Sequence, residues 1–288
     1  MDYAVSIHLP EAPGPIGVFD SGFGGLTVLQ KIKALLPEYD YIFLGDNARA
    51  PYGTRSYDVV YRYTLQGVTA LFEKGCHLVI LACNTASAKA LRSIQQKDLE
   101  RLDANRRVLG VIRPTAEIVG KLTRTRHIGL LATPGTISSH SYEMEIEKLY
   151  PDIKVTGLAC PMWVPLVENF EYDKPGADYF VKDRLEEIMK KDPETDLIIL
   201  GCTHFPFLLP KIRQYAPQHV KIISQGEYVA ASLQDYLRRH SEMDQLCTKN
   251  GSCQFFTTEE SKNFDNTARI FLHENVVSTH LDLETENV

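Results

Sequence analysis

Two cysteines stand at matching places in two similar segments of the chain. Residues 78–85 read LVILACNT, and residues 197–204 read LIILGCTH. Each apolar run is typical of a buried parallel strand, so we expect Cys83 and Cys202 at the carboxyl ends of two strands. Open α/β sheets bind their ligands at that edge. The matching positions therefore predict a site with one thiol on each side of a single substrate.

A pair of thiols facing one carbon suits the inversion of a stereocentre that carries an acidic C–H. One group removes the proton from one face, the other delivers a proton to the opposite face, and the reverse reaction exchanges their roles. Free thiols titrate at about 8.5, so a modest perturbation supplies both thiol and thiolate near neutral pH. Because an amino-acid α-carbon is weakly acidic, a site without an electron-sink cofactor must stabilise the carbanion with fixed donors in a dry pocket.

The remaining cysteines are expected to be structural. Free cysteine is commonly buried and inert, which suits Cys76, Cys160, Cys247 and Cys253 in their apolar contexts. Cys83 and Cys202 differ from these four cysteines because polar residues follow each of them. Each is expected to open onto a helix N-terminus, whose partial positive charge lowers the pKa of a thiol.

A glycine-rich turn follows the first predicted strand, in the segment GVFDSGFGGLT at residues 17–27. Such a turn brings backbone N–H groups close to a carboxylate or a phosphate. Its spacing does not meet the dinucleotide-binding pattern. Asp20, at the strand end, either holds an α-ammonium group, helps to move a proton, or simply caps the following helix.

Three further places are candidates for function, each with an ordinary structural alternative. The loop at residues 44–53, with Pro51, Tyr52 and Gly53, either contacts a ligand or is plain turn structure. His204 is placed to relay a proton for Cys202, or to form half of a zinc site with it. Glu168 follows an apolar stretch and either serves the site or pairs structurally.

The elements between these motifs predict two similar α/β lobes with the active site in the cleft between them. Residues 16–22 resemble residues 128–134, and residues 41–47 resemble residues 155–161, in the same order and at nearly constant offset. Alternating strands and helices favour mostly parallel sheets flanked by helices. We expect lobe one at 14–112 plus 221–275, lobe two at 113–220, an N-terminal extension at 1–13 and a loose tail at 276–288.

Helix signals are also readable. Ser56 is a predicted N-cap for a helix to Glu73, with Gly75 as its stop. Residues 240–252 are expected to be loop and residues 253–257 an edge strand. The other predicted helices are 85–96, 138–149, 177–190, 206–215, 227–239 and 263–274.

Composition narrows the class of protein. The chain has 288 residues, 44% of them hydrophobic, and a formal net charge of −6. The acidic balance argues against nucleic-acid and anionic-membrane partners. No apolar run approaches the roughly 20 residues that span a bilayer, and residues 1–14 do not resemble a secretory signal. The six cysteines show no short CxxC spacing and stand mostly in apolar contexts, which favours a reducing, cytoplasmic compartment.

Six motifs in order resemble the aspartate/glutamate racemase family, in particular the cofactor-independent enzymes that interconvert L- and D-glutamate for peptidoglycan. They are GVFDSGFGGLTVL (17–29), GDNARAPYG (45–53), LACNTASA (81–88), ATPGT (132–136), CPMWVPLVE (160–168) and GCTHFP (201–206). The resemblance covers about residues 16–272. It implies a two-lobed α/β fold, glutamate as substrate, no cofactor, no metal and a homodimer.

The same resemblance implies roles for individual residues. Cys83 and Cys202 become the acid/base thiols, with Asp20 and His204 as assisting groups that also contact substrate. The remaining implied substrate contacts are Ser21, Pro51, Tyr52, Gly53, Asn84, Thr85 and Thr203, with Thr136 and Glu168 at the margin of the pocket.

The sequence departs from the family pattern at positions expected to affect contacts between the lobes or between subunits, so the family resemblance does not predict the subunit arrangement. Arg113 stands where many members have an acidic residue, and Ser224-Gln225-Gly226 replaces a common aspartate-containing turn. The competing functions are an aspartate racemase or another two-cysteine racemase, a decarboxylase that uses the same thiols, a metal-dependent hydrolase, and an amino-acid-sensing module without catalysis.

Overall fold

The computed structural model describes residues 12–283, in which ten strands form two sheets. The strands are β1 (Ile16–Asp20), β2 (Tyr41–Gly45), β3 (Leu78–Leu81), β4 (Arg107–Gly110), β5 (His127–Ala132), β6 (Lys154–Ala159), β7 (Leu197–Gly201), β8 (Lys221–Ile223), β9 (Cys253–Thr257) and β10 (Ser278–His280). The larger sheet has the order β10-β9-β2-β1-β3-β4, and the smaller has the order β6-β5-β7-β8. Neighbouring strands are parallel in both sheets.

The internal repeat predicted from the sequence is confirmed by the sheet topology. The order β2-β1-β3-β4 in the larger sheet is reproduced as β6-β5-β7-β8 in the smaller. Cys83 and Cys202 therefore follow equivalent strands, β3 and β7, in two similar lobes.

Helices cover the sheets. They are α1 (Leu26–Leu35), α2 (Tyr57–Glu73), α3 (Asn84–Lys89), α4 (Leu91–Ser93), α5 (Leu99–Leu102), α6 (Ile112–Leu122), α7 (Pro134–Ser138), α8 (Ser141–Leu149), α9 (Trp163–Glu168), α10 (Pro175–Lys191), α11 (Leu209–Tyr215), α12 (Gly226–Arg239), α13 (Ser241–Gln245) and α14 (Ser261–Leu272). Across the described residues, none of these helices is long and apolar enough to cross a membrane.

The two lobes share one hydrophobic core. Alternate residues of a strand point to opposite faces of its sheet, so each sheet contributes to two clusters. Val18 of β1 and Ile80 of β3 pack in the same cluster as Ile198 and Leu200 of β7. The outer faces pack in separate clusters. The continuous inner cluster holds the carboxyl ends of β3 and β7 at a common cleft.

Several predicted helices are confirmed, and two are interrupted. Ser56 caps α2 by accepting from the N–H of Val59, and Gly75 has the positive φ of a helix stop. The predicted helix at 85–96 is broken at Ala90, continues as α4 and then passes into a π-helix at Ile94–Asp98. The predicted helix at 138–149 is α7 and α8, separated where His140 adopts a left-handed conformation.

The expectations for the C-terminal part were wrong in three respects. Residues 240–252 contain α13, and Cys247 forms a bridge with Gly14. β9 is not an edge strand, because β10 pairs with its outer side. The segment expected as a loose tail thus supplies the edge strand, while residues 284–288 lie outside the described part.

The expected boundary between the lobes at residue 221 is also wrong. β8 pairs with β7 and belongs to the smaller sheet, because Ile223 is buried against the outer cluster of that sheet. Of the expected N-terminal extension, residues 1–11 lie outside the described residues.

Candidate active site

Cys83 and Cys202 line one narrow cavity of about 20 Å³ between the lobes. Both are 5% exposed. The predicted meeting of the two thiols at one pocket is thus a feature of the structure. The cavity is lined by Ser21, Pro51, Tyr52, Gly53, Cys83, Asn84, Thr85, Thr133, Val164, Glu168, Cys202, Thr203 and His204.

Cys83 occupies the N-cap position of α3, as its place after β3 dictates. Its sulfur accepts from the N–H of Ala86 at 3.4 Å, and its thiol lies 3.4 Å from the hydroxyl of Ser21. Burial and the nearby Asp20 carboxylate outweigh these contacts and raise the pKa of Cys83 to about 12. The expectation of a thiol acidified by the helix was therefore wrong, and Cys83 is protonated at neutral pH.

Cys202 has a different environment. A turn and a 3₁₀ helix at Phe205–Leu208 follow it, so the expected α-helix N-terminus is absent from this position. Its sulfur lies 3.9 Å from Nδ1 of His204, whose Nε2 lies 3.0 Å from the carboxylate of Glu168. Although burial opposes the charged ring, hydrogen bonds with Cys202 and Glu168 raise the pKa of His204 to about 10. A protonated imidazole therefore faces this sulfur at neutral pH.

Asp20 lies directly behind the cavity and is fully buried. Its Oδ2 accepts from the N–H groups of Gly22 and Gly25, whereas Oδ1 has no hydrogen-bond partner among the described residues. Burial raises the pKa of Asp20 to about 6, against the lowering effect of the positive charge on His204. Asp20 is not among the residues that line the cavity, so its expected direct contact with substrate is not supported by this geometry.

The glycine-rich turn brings backbone of the first lobe against the second. A Cβ at Gly24 would lie 2.4 Å from Oγ1 of Thr203 and 2.5 Å from Nδ1 of His204. The hydroxyl of Thr27 donates to the carbonyl of Thr203 at 3.1 Å. Glycine is required at position 24 because the backbone approaches these side chains closely.

Hydrogen bonds hold a second loop of the first lobe beside the cavity. The hydroxyl of Tyr52 donates to buried Asp46, and Nε of Arg49 donates to the same carboxylate at 2.8 Å. The carbonyl of Gly53 accepts from the N–H of Gly135 in the second lobe at 2.7 Å. These contacts place residues 51–53 at the cavity as predicted, with a cis peptide bond before Pro51.

Within residues 12–283, no cluster of three or more His, Cys, Asp or Glu side chains is arranged to hold a metal ion. The zinc hypothesis for Cys202 and His204 therefore finds no further ligands there. The four cysteines expected to be structural have no disulfide partner; three are buried, and Cys253 is partly exposed.

Comparison with known proteins decides the family. The model of the family described as Asp/Glu/Hydantoin racemase matches residues 16–233. The chain belongs to this family. It is an amino-acid racemase, an isomerase, and its two parallel sheets have the two-lobed fold of glutamate racemases.

Relatives of this racemase include the glutamate racemase of Roseobacter denitrificans, which is 37% identical over an alignment of 271 residues; the match covers 91% of this chain and 97% of the relative. The crystal structure of glutamate racemase isoform RacE1 from Bacillus anthracis is 35% identical, with a TM-score of 0.86 over 95% of this chain and 99% of that one. The glutamate racemase from Francisella tularensis in complex with D-glutamate is 30% identical, with a TM-score of 0.83 over 95% and 99% of the two chains.

Sequence reasoning missed two residues of the racemase cavity and placed two others, Asp20 and Thr136, too close to it. Thr133 and Val164 line the cavity, whereas Thr136 stands behind it and contacts the hydroxyls of Thr85 and Thr133 at 3.3 Å and 3.1 Å. Thr133 caps α7 just before Pro134, a readable helix-start signal within the quoted ATPGT motif. Val164 carries no polar signal that could have marked it.

Proposed function

We propose that this racemase interconverts L- and D-glutamate without a cofactor, with Cys83 and Cys202 acting on opposite faces of the α-carbon. The observation that carries the proposal is the pair of sulfurs delivered to one cavity by the equivalent strands β3 and β7. Glutamate is the favoured substrate because the relatives that match nearly the whole chain are glutamate racemases, one of them in complex with D-glutamate.

The two sulfurs have unequal environments that suit opposite roles. Cys83 is a protonated thiol with a raised pKa, and it can deliver a proton to the substrate. The sulfur of Cys202 lies 3.9 Å from the charged ring of His204, which can stabilise the sulfur when it acts as the group that removes a proton. Removal at one face leaves the electron pair on carbon, and delivery at the other face forms the new C–H bond. The sulfurs exchange protonation states, which sets the enzyme for the reverse direction.

The polar groups around the sulfurs supply the donors that the carbanion and the carboxylates need. Ser21, Asn84, Thr85 and Thr203 place side-chain donors at the cavity, and each is at most 7% exposed. In a site that excludes water, such donors stabilise developing charge far more than they would in solvent. Asp20 and His204 assist by setting the charge around the thiols. Pro51, Tyr52 and Gly53 shape one wall, and Glu168 lies at the margin. Thr136 supports Thr85 and Thr133 from behind the cavity.

Glutamate requires the lobes to separate before it can bind. The cavity of about 20 Å³ has room for roughly one water molecule, far less than an amino acid needs. Opening and reclosure would admit substrate and then exclude water from the carbanion. The proposal also includes the supply of D-glutamate for peptidoglycan and a homodimeric assembly. It places the protein in the cytoplasm, where thiols stay reduced.

The proposal is tested by circular dichroism of the purified protein with L-glutamate, D-glutamate and L-aspartate. We expect loss of optical activity from both glutamate enantiomers, a much smaller rate with aspartate, and no effect of a chelator. In D₂O, the enantiomer formed should carry one α-deuterium. Racemisation of aspartate alone would reassign the substrate, and inversion without solvent deuterium would reject the two-thiol route.

A further inference from the structure

Three buried polar side chains form a hydrogen-bonded chain from the second lobe to the cavity. Asn84 begins α3 beside Cys83, Tyr142 lies on α8, and Gln225 precedes α12. Their exposures are 2%, 0% and 1%, so water does not compete for their hydrogen bonds. Each bond in the chain therefore has to be supplied by the protein or by a ligand.

The direction of each bond follows from the donors available. Nε2 of Gln225 can only donate, and it does so to the carbonyl of Leu200 at 2.5 Å and to the phenol oxygen of Tyr142 at 2.9 Å. Burial holds the pKa of Tyr142 above its usual range, so the phenol keeps its proton. That proton is donated to Oδ1 of Asn84 at 2.7 Å.

The donated proton fixes the orientation of the Asn84 amide. With Oδ1 turned to Tyr142, the amide nitrogen is on the opposite side of the group. This Nδ2 is buried and finds no hydrogen-bond partner in the described part of the chain, although Asn84 lines the cavity. A buried donor without an acceptor costs about 1–3 kcal/mol, so its persistence beside a cavity points to a ligand acceptor.

We propose that Tyr142 and Gln225 are positioning residues that hold the Asn84 amide with its NH₂ group toward a carboxylate of the substrate. This inference rests on the proposed function and adds a determinant of substrate binding to it. The reversed amide would present Oδ1 to the carboxylate and repel it. Gln225 thereby gives a role to the Ser224-Gln225-Gly226 segment in which the sequence departs from the family pattern.

Removing the phenol oxygen tests the positioning role. In Tyr142→Phe the Asn84 amide loses the donor that orients it, so KM for glutamate should rise about tenfold, with a smaller change in kcat. Gln225→Met should change KM in the same direction. Tyr41→Phe is the matched control, because its buried phenol donates to the carbonyl of Leu36 at 2.7 Å away from the cavity. Its KM should stay within twofold of the unaltered protein.

A double-mutant cycle separates positioning from general structural damage. In an Asn84→Ala background there is no amide to orient, so Tyr142→Phe should raise KM by less than twofold further. An equal rise in both backgrounds would overturn the proposal, as would an unchanged KM in the single variant.

A measurement that does not depend on turnover keeps this inference distinct from the proposed function. In asparagine-labelled protein, the nuclear Overhauser effect between the Asn84 NH₂ protons and the Tyr142 ring should be weak in the unaltered chain. A strong effect would show the reversed amide and overturn the inference, whatever the substrate. Absence of any glutamate turnover, with a weak effect, would reject only the proposed function.

Discussion

Nε2 of His204 lies 3.0 Å from Oε1 of Glu168, and this pair charges the imidazole that faces the sulfur of Cys202. His204 is 4% exposed, whereas the Glu168 side chain is 24% exposed. The pKa of His204 is raised from its ordinary 6.5 to about 10. The interaction of protonated His204 with Glu168 therefore contributes fully to the stability of the fold below about pH 6.5. That contribution is lost as pH rises through about 10.

Glu168→Gln should lower the pKa of His204 by about one unit, because a neutral amide attracts the imidazolium less. The basic limb of the kcat/KM profile for glutamate should move to lower pH by a similar amount. The profile is measured between about pH 6 and pH 11, so that it includes the basic limb near 10. Glu171→Gln is the control, since Glu171 pairs with Lys174 at 2.7 Å on the surface. An unmoved basic limb would show that His204 does not set the protonation needed for turnover.

Each catalytic thiol should be indispensable for inversion. Cys83→Ala and Cys202→Ala should each reduce racemisation by at least roughly 10²- to 10⁴-fold, the range for loss of a general acid or base. Each variant keeps one base and should exchange the α-proton of only one enantiomer with D₂O, and the two variants should select opposite enantiomers. Mass spectrometry measures this exchange, and Cys253→Ala should remain fully active. Normal turnover in either single variant contradicts the two-thiol mechanism.

The buried carboxylate of Asp20 should cost stability when it ionises. Its pKa, raised to about 6, exceeds the ordinary 3.8, so the folded state binds the proton more tightly and stability falls as pH rises through this window. Asp20→Asn should therefore gain free energy of unfolding relative to the unaltered protein between pH 4 and pH 7, by about 3 kcal/mol at most.

Asp40→Asn is the opposite control for Asp20→Asn. Although burial opposes it, hydrogen bonds from Ser252 and other nearby donors hold the pKa of Asp40 below its usual range. Its contribution to stability is present above the ordinary pKa and is lost as pH falls, so this variant should be destabilised most near neutral pH. Denaturant titrations at pH 4 and pH 7 compare the free energy of unfolding of each variant with that of the unaltered protein. The difference for Asp20→Asn should grow between these two pH values, whereas Asp40→Asn should be destabilised at both. Parallel pH dependence in both variants would contradict the assignment for Asp20.

The glycine-rich turn should tolerate no side chain where it meets the second lobe. In Gly24→Ala the new Cβ would lie within 2.5 Å of atoms in Thr203 and His204, and a displacement of about 1 Å there should reduce kcat/KM about 10²-fold. Gly176→Ala is the matched control, since a Cβ at this position would point into open space, with only its chain neighbours and the backbone of its own helix nearby. Full activity in Gly24→Ala would show that the lobes do not need this close approach.

The sequence predicted those structural features that are determined by residues close together in the chain. The apolar runs before Cys83 and Cys202 predicted buried parallel strands, and the repeat predicted two similar lobes. Ser56 and Gly75 marked the ends of a helix because capping groups act locally. Strand patterns and helix caps depend on residues that are neighbours in the chain, and these neighbours can be read from a single sequence.

The features that the sequence did not predict depend on distant contacts. The protonation of Cys83 is decided by burial and by Asp20, which lies 63 positions away. β10 is a short polar strand that forms because β9 offers it an unpaired edge. The chain from Gln225 through Tyr142 to Asn84 joins three separate segments, and no local pattern indicates it.

A crystal structure of the protein with bound D-glutamate tests the central claim most directly. The account predicts that the α-carbon lies between the two sulfurs, roughly 3–3.5 Å from each and with one on either face, the separation of groups poised to react. An α-carbon within reach of only one sulfur, or both sulfurs on the same face, would contradict it.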